Sequence, residues 1–334
     1  WIMAYTTIDD PEAYFQVKLY TGDGSTPSIT LDGDTDMQPD FVWIKNRDQT
    51  DSHCLFDSAR GATKLMSSDA TDEESTDADT LTSFDSDGFA LGADVKVNTN
   101  TEAYVAWNWK ESATAGFDIV LYTGTGSTAT PSHSLSAVPH VMIVKRRNTS
   151  EGWQVYHHKQ ASDPETDALE LNTTLATADA ANRWNDTAPT SSVFTVEDHG
   201  TVNAVDDTYV NYLFTSIQGF SKFGSYIGNG DDDGPFVYTG FRPAYVMEKR
   251  ANDGGSWTIQ DNKRSTFNVT AANFLAESDA AEYTGTGNRI DILSNGFKCR
   301  KNDTDNNGDG DTIIYMAFAE APFVNSNGVP CNAR

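Results

Sequence analysis

The side chains best placed to do chemistry lie in an acidic stretch near the C-terminus. Asp303-Thr304-Asp305-Asn306-Asn307-Gly308-Asp309-Gly310-Asp311 sets oxygen-bearing side chains at alternate positions with a Gly sixth. A calcium ion takes about 6–8 oxygen ligands, and loops of this spacing supply them. Asp303, Asp305, Asn307, Asp309 and Asp311 are therefore candidate ligands. Ile314 stands at the twelfth position, where such a loop carries Glu, and Ile313 and Ile314 start a strand instead of a helix. The preferred reading is an acidic hairpin loop, with calcium as the alternative and no other cofactor expected. Asp231-Asp232-Asp233-Gly234 and Asp32-Gly33-Asp34-Thr35-Asp36 are similar turns. Asp and Gly suit such turns on conformational grounds alone.

Imidazoles are the next candidates. His157-His158 is a pair, and Glu197-Asp198-His199 puts an imidazole beside two carboxylates. Neither has the context of a metal motif or a triad, and a general base needs a partner within hydrogen-bond reach. No catalytic residue is nominated. Aromatic rings offer a binding chemistry: they can stack on sugar rings while Asp and Asn bond the hydroxyls. Trp43 and Trp107 sit inside apolar runs and are expected in the core. Trp184, in Asn182-Arg183-Trp184-Asn185-Asp186, has only polar neighbours and is the candidate exposed ligand contact.

These residues are set in a repeating frame, and repeats decide architecture. Tyr20-Thr21-Gly22-Asp23-Gly24 returns as Tyr122-Thr123-Gly124-Thr125-Gly126 and as Tyr226-Ile227-Gly228-Asn229-Gly230. Pro39, Pro139 and Pro243 each precede an apolar run, and Lys45, Lys145 and Lys249 follow six residues after each Pro. Pro opens a strand readily because its missing N–H is not needed there. The lysines, with Arg47, Arg147 and Arg250 nearby, are expected at solvated strand ends or paired with acidic loops of a neighbouring unit. A third marker begins at His53, Trp153 and Trp257; it sets His157 level with Asp57 and Asp261. With the preceding strand it reads as a hairpin. The closing marker is Tyr104-Val105-Ala106-Trp107, matched to Tyr209-Val210-Asn211-Tyr212 and Tyr315-Met316-Ala317-Phe318.

Short β-rich runs between Gly, Asn, Asp, Ser and Thr clusters predict an all-β fold of three tandem antiparallel β-sandwich or jelly-roll repeats. The expected divisions are an N-terminal attachment segment at 1–14 and repeats at 15–113, 114–222 and 223–334. Asp10 could cap a short helix with Pro11 at its first position.

Composition bounds the partners. The chain has 334 residues, with 49 Asp and Glu against 23 Lys and Arg, for a net charge of −26. Nucleic-acid binding needs clustered Lys and Arg and is not expected. No apolar run long enough for a membrane span occurs, so no membrane insertion is expected. Cys54, Cys299 and Cys331 are odd in number and far apart, which argues against a disulfide framework. The first residues lack a secretion signal, and Met3 reads as a natural start.

Several long motifs carry a resemblance. Tyr14-Phe15-Gln16, Phe41-Val42-Trp43-Ile44-Lys45-Asn46-Arg47, Phe56-Asp57-Ser58-Ala59-Arg60-Gly61-Ala62 and Ser83-Phe84-Asp85-Ser86-Asp87-Gly88-Phe89 are among them. With Phe220-Ser221-Lys222-Phe223-Gly224-Ser225-Tyr226 and the ending Tyr315 to Phe323, they resemble tail-fibre-like repeat structural proteins of marine bacteriophages. The resemblance implies a non-enzymatic protein of the virion surface, built of lectin-like β-sandwich units and assembled in the host cytoplasm. It implies other virion proteins as partners, a homo-oligomer, and host surface glycans as ligands. A capsid decoration or head-fibre protein is one alternative, and a glycan-active enzyme is another.

Overall fold

The computed structural model describes residues 4–285 and 289–332. The fold is all-β and antiparallel, as the turn spacing predicts. Three sheets share one strand order: opening, closing, second, hairpin. The opening strands are Phe15–Thr21, Phe117–Thr123 and Ser221–Ile227. The closing strands are Ala103–Trp109, Thr208–Phe214 and Thr312–Pro322. The second strands, Phe41–Asn46, Val141–Arg146 and Phe241–Arg250, pair with the hairpin strands Cys54–Asp57, Gln154–His157 and Trp257–Asp261. The third opening strand begins at Ser221, so the boundary expected after residue 222 moves ahead of that strand.

Each second strand carries an apolar run of about four residues because it is covered on both faces. Val42 and Ile44 enter a small core of the first unit with Leu81, Phe89 and Tyr104. Phe41 and Trp43 turn the other way, into a core shared with Tyr212 and Phe214 of the second unit and Tyr245, Met247 and Phe318 of the third. The units are thus not independent beads. A cavity of about 20 Å³ lies where the three sheets meet, lined by Trp109, Ile143, Tyr212, Tyr245 and Met316 among others. It has room for a single water, but its lining is almost wholly apolar and offers too few partners to hold one, so it is a packing defect. Fully burying each large apolar side chain there stabilises by about 1.5–3 kcal/mol.

The outer face of the first sheet is covered by a small sheet of Ser28–Thr30, Gly88–Leu91 and Leu81–Asp85. The third unit repeats it with Phe236–Tyr238, Gly296–Cys299 and Ile290–Leu293. In the second unit that layer narrows to isolated bridges, Ala129 to Val196 and Ser132 to Val193.

Strand register corrects one expectation. Val17 faces Trp107 and Ile119 faces Tyr212, while Phe223 faces Met316. The third closing marker therefore starts at Ile313, in the place of Tyr104 and Tyr209, and not at Tyr315. The phenols of Tyr20 and Tyr104 stack at 5.1 Å, and those of Tyr122 and Tyr209 at 5.0 Å. The third unit has only Tyr226 at this place, opposite Ile313.

The repeated Gly-x-Gly has a geometric cause. A Cβ on Gly22, Gly124 or Gly228 would fall within 2.2 Å of a backbone oxygen of Thr99, Ala204 or Gly308. The second glycines, Gly24, Gly126 and Gly230, have φ of 67°, 67° and 63°, a region that side chains disfavour.

The segment expected to be a separate attachment arm is docked where it is described. Thr6 donates to Gln218 O at 2.8 Å, Ile8 is buried, and Tyr5 packs on Phe323. Asp10 caps a 3-10 turn, Pro11–Ala13, as its sequence predicts. Residues 1–3, including Met3, lie outside the described residues. Cys54, Cys299 and Cys331 are free thiols. No helix among the described residues is long and apolar enough to cross a membrane.

Candidate functional site

The repeated polar residues meet at the junctions between units. The imidazole and indoles at the head of each hairpin strand donate to a neighbour's carbonyl. Trp153 Nε1 reaches Ser67 O at 2.9 Å, Trp257 Nε1 reaches Glu170 O at 3.0 Å, and His53 Nε2 reaches Leu275 O at 3.1 Å. Trp43 Nε1 donates to His53 Nδ1 at 2.7 Å, which leaves Nε2 as the protonated nitrogen. Burial holds the His53 pKa down to about 3, with the charge of Lys45 adding to the effect.

The position shared by Asp57, His157 and Asp261 closes a ring. Asp57 accepts from Tyr212 of the second unit at 2.6 Å. His157 Nε2 donates to Tyr315 O of the third unit at 3.2 Å. Asp261 accepts from Trp107 of the first unit at 3.0 Å. Asp57 also holds Arg60, and Asp261 holds Arg264, with all four side chains fully buried. Glu74 joins Arg60 to Arg147 of the second unit, and Glu282 joins Arg264 to Arg47 of the first. Among the described residues, the junction between the second and third units lacks this charge network. There Thr177 bonds the backbone of Ala251, in the place of the Glu–Arg pairs.

Lys45, Lys145 and Lys249 overturn the expectation of solvated or acid-paired lysines. All are 0% exposed. Lys145 Nζ donates to Thr71 O and Glu151 O at 2.9 and 2.6 Å, and Lys249 Nζ to Arg250 O at 2.8 Å. Lys45 Nζ donates to Asn46 O at 2.8 Å and lies over the Phe274 ring of the third unit. Burial lowers all three pKa values to about 8. The sequence could not show this, because part of the cover comes from another unit: Thr71 over Lys145, Thr174 over Lys249 and Phe274 over Lys45.

Trp184 is also corrected. It is 1% exposed, packs edge-on to Tyr156, and donates from Nε1 to Asp167 O at 3.0 Å. Its polar neighbours in sequence point away while the indole fills the second unit's own core. It is not an exposed ligand contact.

The acidic stretch does not converge on one point. Asp303 accepts from Asp305 N, and Asp305 accepts from Ser256 N, each at 3.0 Å. Asn307 is buried; it accepts from Asn229 N and donates to Asp231 O. Asn98 and Asn203 make the same two ties in the other units, so Asn307 belongs to a repeated turn. Asp311 pairs with Arg250 at 2.9 Å, and Asp309 lines a shallow depression beside Gly230 and Asp303. Among the described residues no three His, Cys, Asp or Glu side chains are grouped to hold a metal. His199 accepts from Thr201 N and caps Gly200–Asn203, and His158 donates to Phe223 O at 2.9 Å.

A groove on the third unit was missed in the sequence. Two adjoining depressions, about 410 and 440 Å³, share Lys222, Phe223 and Tyr238. Phe236 and Tyr238 project from an edge strand and are each 47% exposed. Lys222 donates to Tyr238 O at 2.6 Å and sits 5.2 Å from the centre of that ring. Tyr5 donates to Gly240 O, so Tyr238 is the donor in its 3.0 Å contact with Tyr5. His158 and the exposed Lys159 of the second unit form the far wall. Among the described residues no carboxylate lines either depression. The signal was present in the sequence as Phe236-Val237-Tyr238, an alternation that exposes two rings on one face.

No curated protein matches this chain. A family model described as a domain of unknown function, DUF7483, matches residues 10–322, so it takes in all three sheets and the groove, and the chain belongs to that family.

Proposed function

We propose that the chain is a non-enzymatic structural protein of a bacteriophage particle, carried on the surface as a tail fibre or related appendage that meets host glycans. The observation that carries this reading is the inward use of the repeated polar residues. His53, Asp57, His157 and Asp261, with the three lysines, are buried in the junctions, out of a substrate's reach. They stiffen a ring and leave its acidic outer surface for contacts. A net charge of −26 keeps copies apart except at specific surfaces. The motif resemblance to phage structural proteins supports the same reading, and other virion proteins and copies of the chain are its expected partners. Cryo-EM of intact particles, with an antibody against the chain, is the test. Label on the tail or its fibres supports the proposal. Label on the head replaces it with a capsid decoration, and absence from the particle overturns both.

A further inference from the structure

The first unit shows what the scaffold needs at the groove. Strand register places Ser28 where the third unit has Phe236, and Thr30 where it has Tyr238. It also places Gln16 at Lys222 and Lys18 at Gly224. Lys18 is bound to Asp32 in the first unit, whereas at Gly224 the Tyr315 ring takes the side-chain space and floors the groove. The fold is therefore built with small polar residues at two positions where the third unit exposes rings. Folding does not account for Phe236 and Tyr238, because rings left nearly half exposed give up much of their burial energy.

Charge narrows the ligand. The chain carries 49 acidic residues, yet the groove lining has Lys159, Lys222 and no carboxylate. Lys159 makes no ion pair among the described residues, and Lys222 is held by a backbone carbonyl, which leaves its charge unneutralised. The groove also lies along the junction of the second and third units, where no Glu–Arg network is found among the described residues. Tyr238 is held from below by Lys222 and at its hydroxyl by Tyr5, so its ring is set before any ligand arrives.

We infer that this groove binds an acidic saccharide, with the rings of Phe236 and Tyr238 stacking on sugar faces and Lys159 and Lys222 meeting carboxylate or sulfate groups. The two rings are two residues apart on one strand face, roughly 7 Å, and suit a chain of sugars more than a single one. The inference deepens the proposed function and rests on it only for the biological source of the saccharide.

The test is an array of alginate, polygalacturonate and sulfated galactan oligosaccharides beside neutral β-glucan oligosaccharides, followed by titration of the best binder. Expected is binding to acidic members alone, weakening as salt shortens the screening length from ~10 Å to ~3 Å. Replacing the rings by the first unit's residues, Phe236→Ser with Tyr238→Thr, should cut affinity at least about tenfold while the melting temperature stays near the parent's. Lys159→Glu, a change at an exposed side chain, gives a second variant with the same expected loss. Equal binding of neutral sugars, no binding to any acidic member, or unchanged affinity in both variants overturns the inference. So does self-association that the ring variant abolishes, which would assign the groove to a second copy's acidic loops. Binding by a chain that is absent from phage particles would overturn the proposed function and leave the groove assignment intact; the converse result separates them the other way.

Discussion

The indole of Trp107 donates to the carboxylate of Asp261 at 3.0 Å, joining residues of the first and third units. A linear string of three units has no such contact. It exists because the sheets close around one core, and it makes Asp261 answer to two elements at once. Arg264 is fully buried against the same carboxylate. Asp261→Asn should leave that guanidinium with Glu282 as its charged partner among the described residues and cost about 3–5 kcal/mol. Urea unfolding followed by tryptophan fluorescence checks the loss. Parent and variant should both unfold in one transition, because the shared core couples the units.

Trp184→Ala should destabilise by about 3–5 kcal/mol, the cost of emptying a large core site. Saccharide binding by the folded variant should be unchanged. A calorimetric melt and the array titration together separate packing from contact.

The buried lysines set a pH dependence with a definite sign. Their folded pKa values of about 8 lie below the ordinary value of 10.5. Between those limits the unfolded chain holds protons that the folded chain has released, so each lysine makes stability rise with pH. Lys145→Met should remove one such contribution, up to about 1.4 kcal/mol per pH unit. Comparing parent and variant melts from about pH 8 to pH 9 isolates it, because the other titrating groups are common to both.

His157 acts on the acid side. Burial, with the charge of His158, holds its pKa to about 3, below the ordinary 6.5. Its contribution is present above the higher value and is lost as pH falls toward the lower one, since only the unfolded chain takes up the proton. His157→Gln should flatten the acid limb of the stability curve by about one proton, as read from the slope of unfolding free energy against pH.

Calcium gives a simpler expectation. Asp303 and Asp305 accept backbone N–H groups, Asp311 holds Arg250, and Asn307 ties the opening turn. With these oxygens directed apart, excess EDTA or millimolar calcium should leave the melting temperature unchanged.

The alternation and turn chemistry were sufficient to read the antiparallel β class, the Pro-led strands and the glycine turns, because each depends on residues close in the chain. Phe41 to Ile44 declares a strand buried on both faces, and Gly22 and Gly24 declare a tight turn. The sequence also marked Lys45, His53 and Asp57 with their counterparts as a recurring set. Their role was decided elsewhere: Lys145 is capped by Thr71, Trp153 by Ser67 and Asp57 by Tyr212. A polar side chain is solvated or buried according to what packs over it, and here the cover comes from another unit. Trp184 is covered inside its own unit by residues distant in the chain, and the groove beside Tyr238 takes its far wall from the second unit. Local pattern determined the strands and turns; closure of three sheets on one core decided which side chains face water.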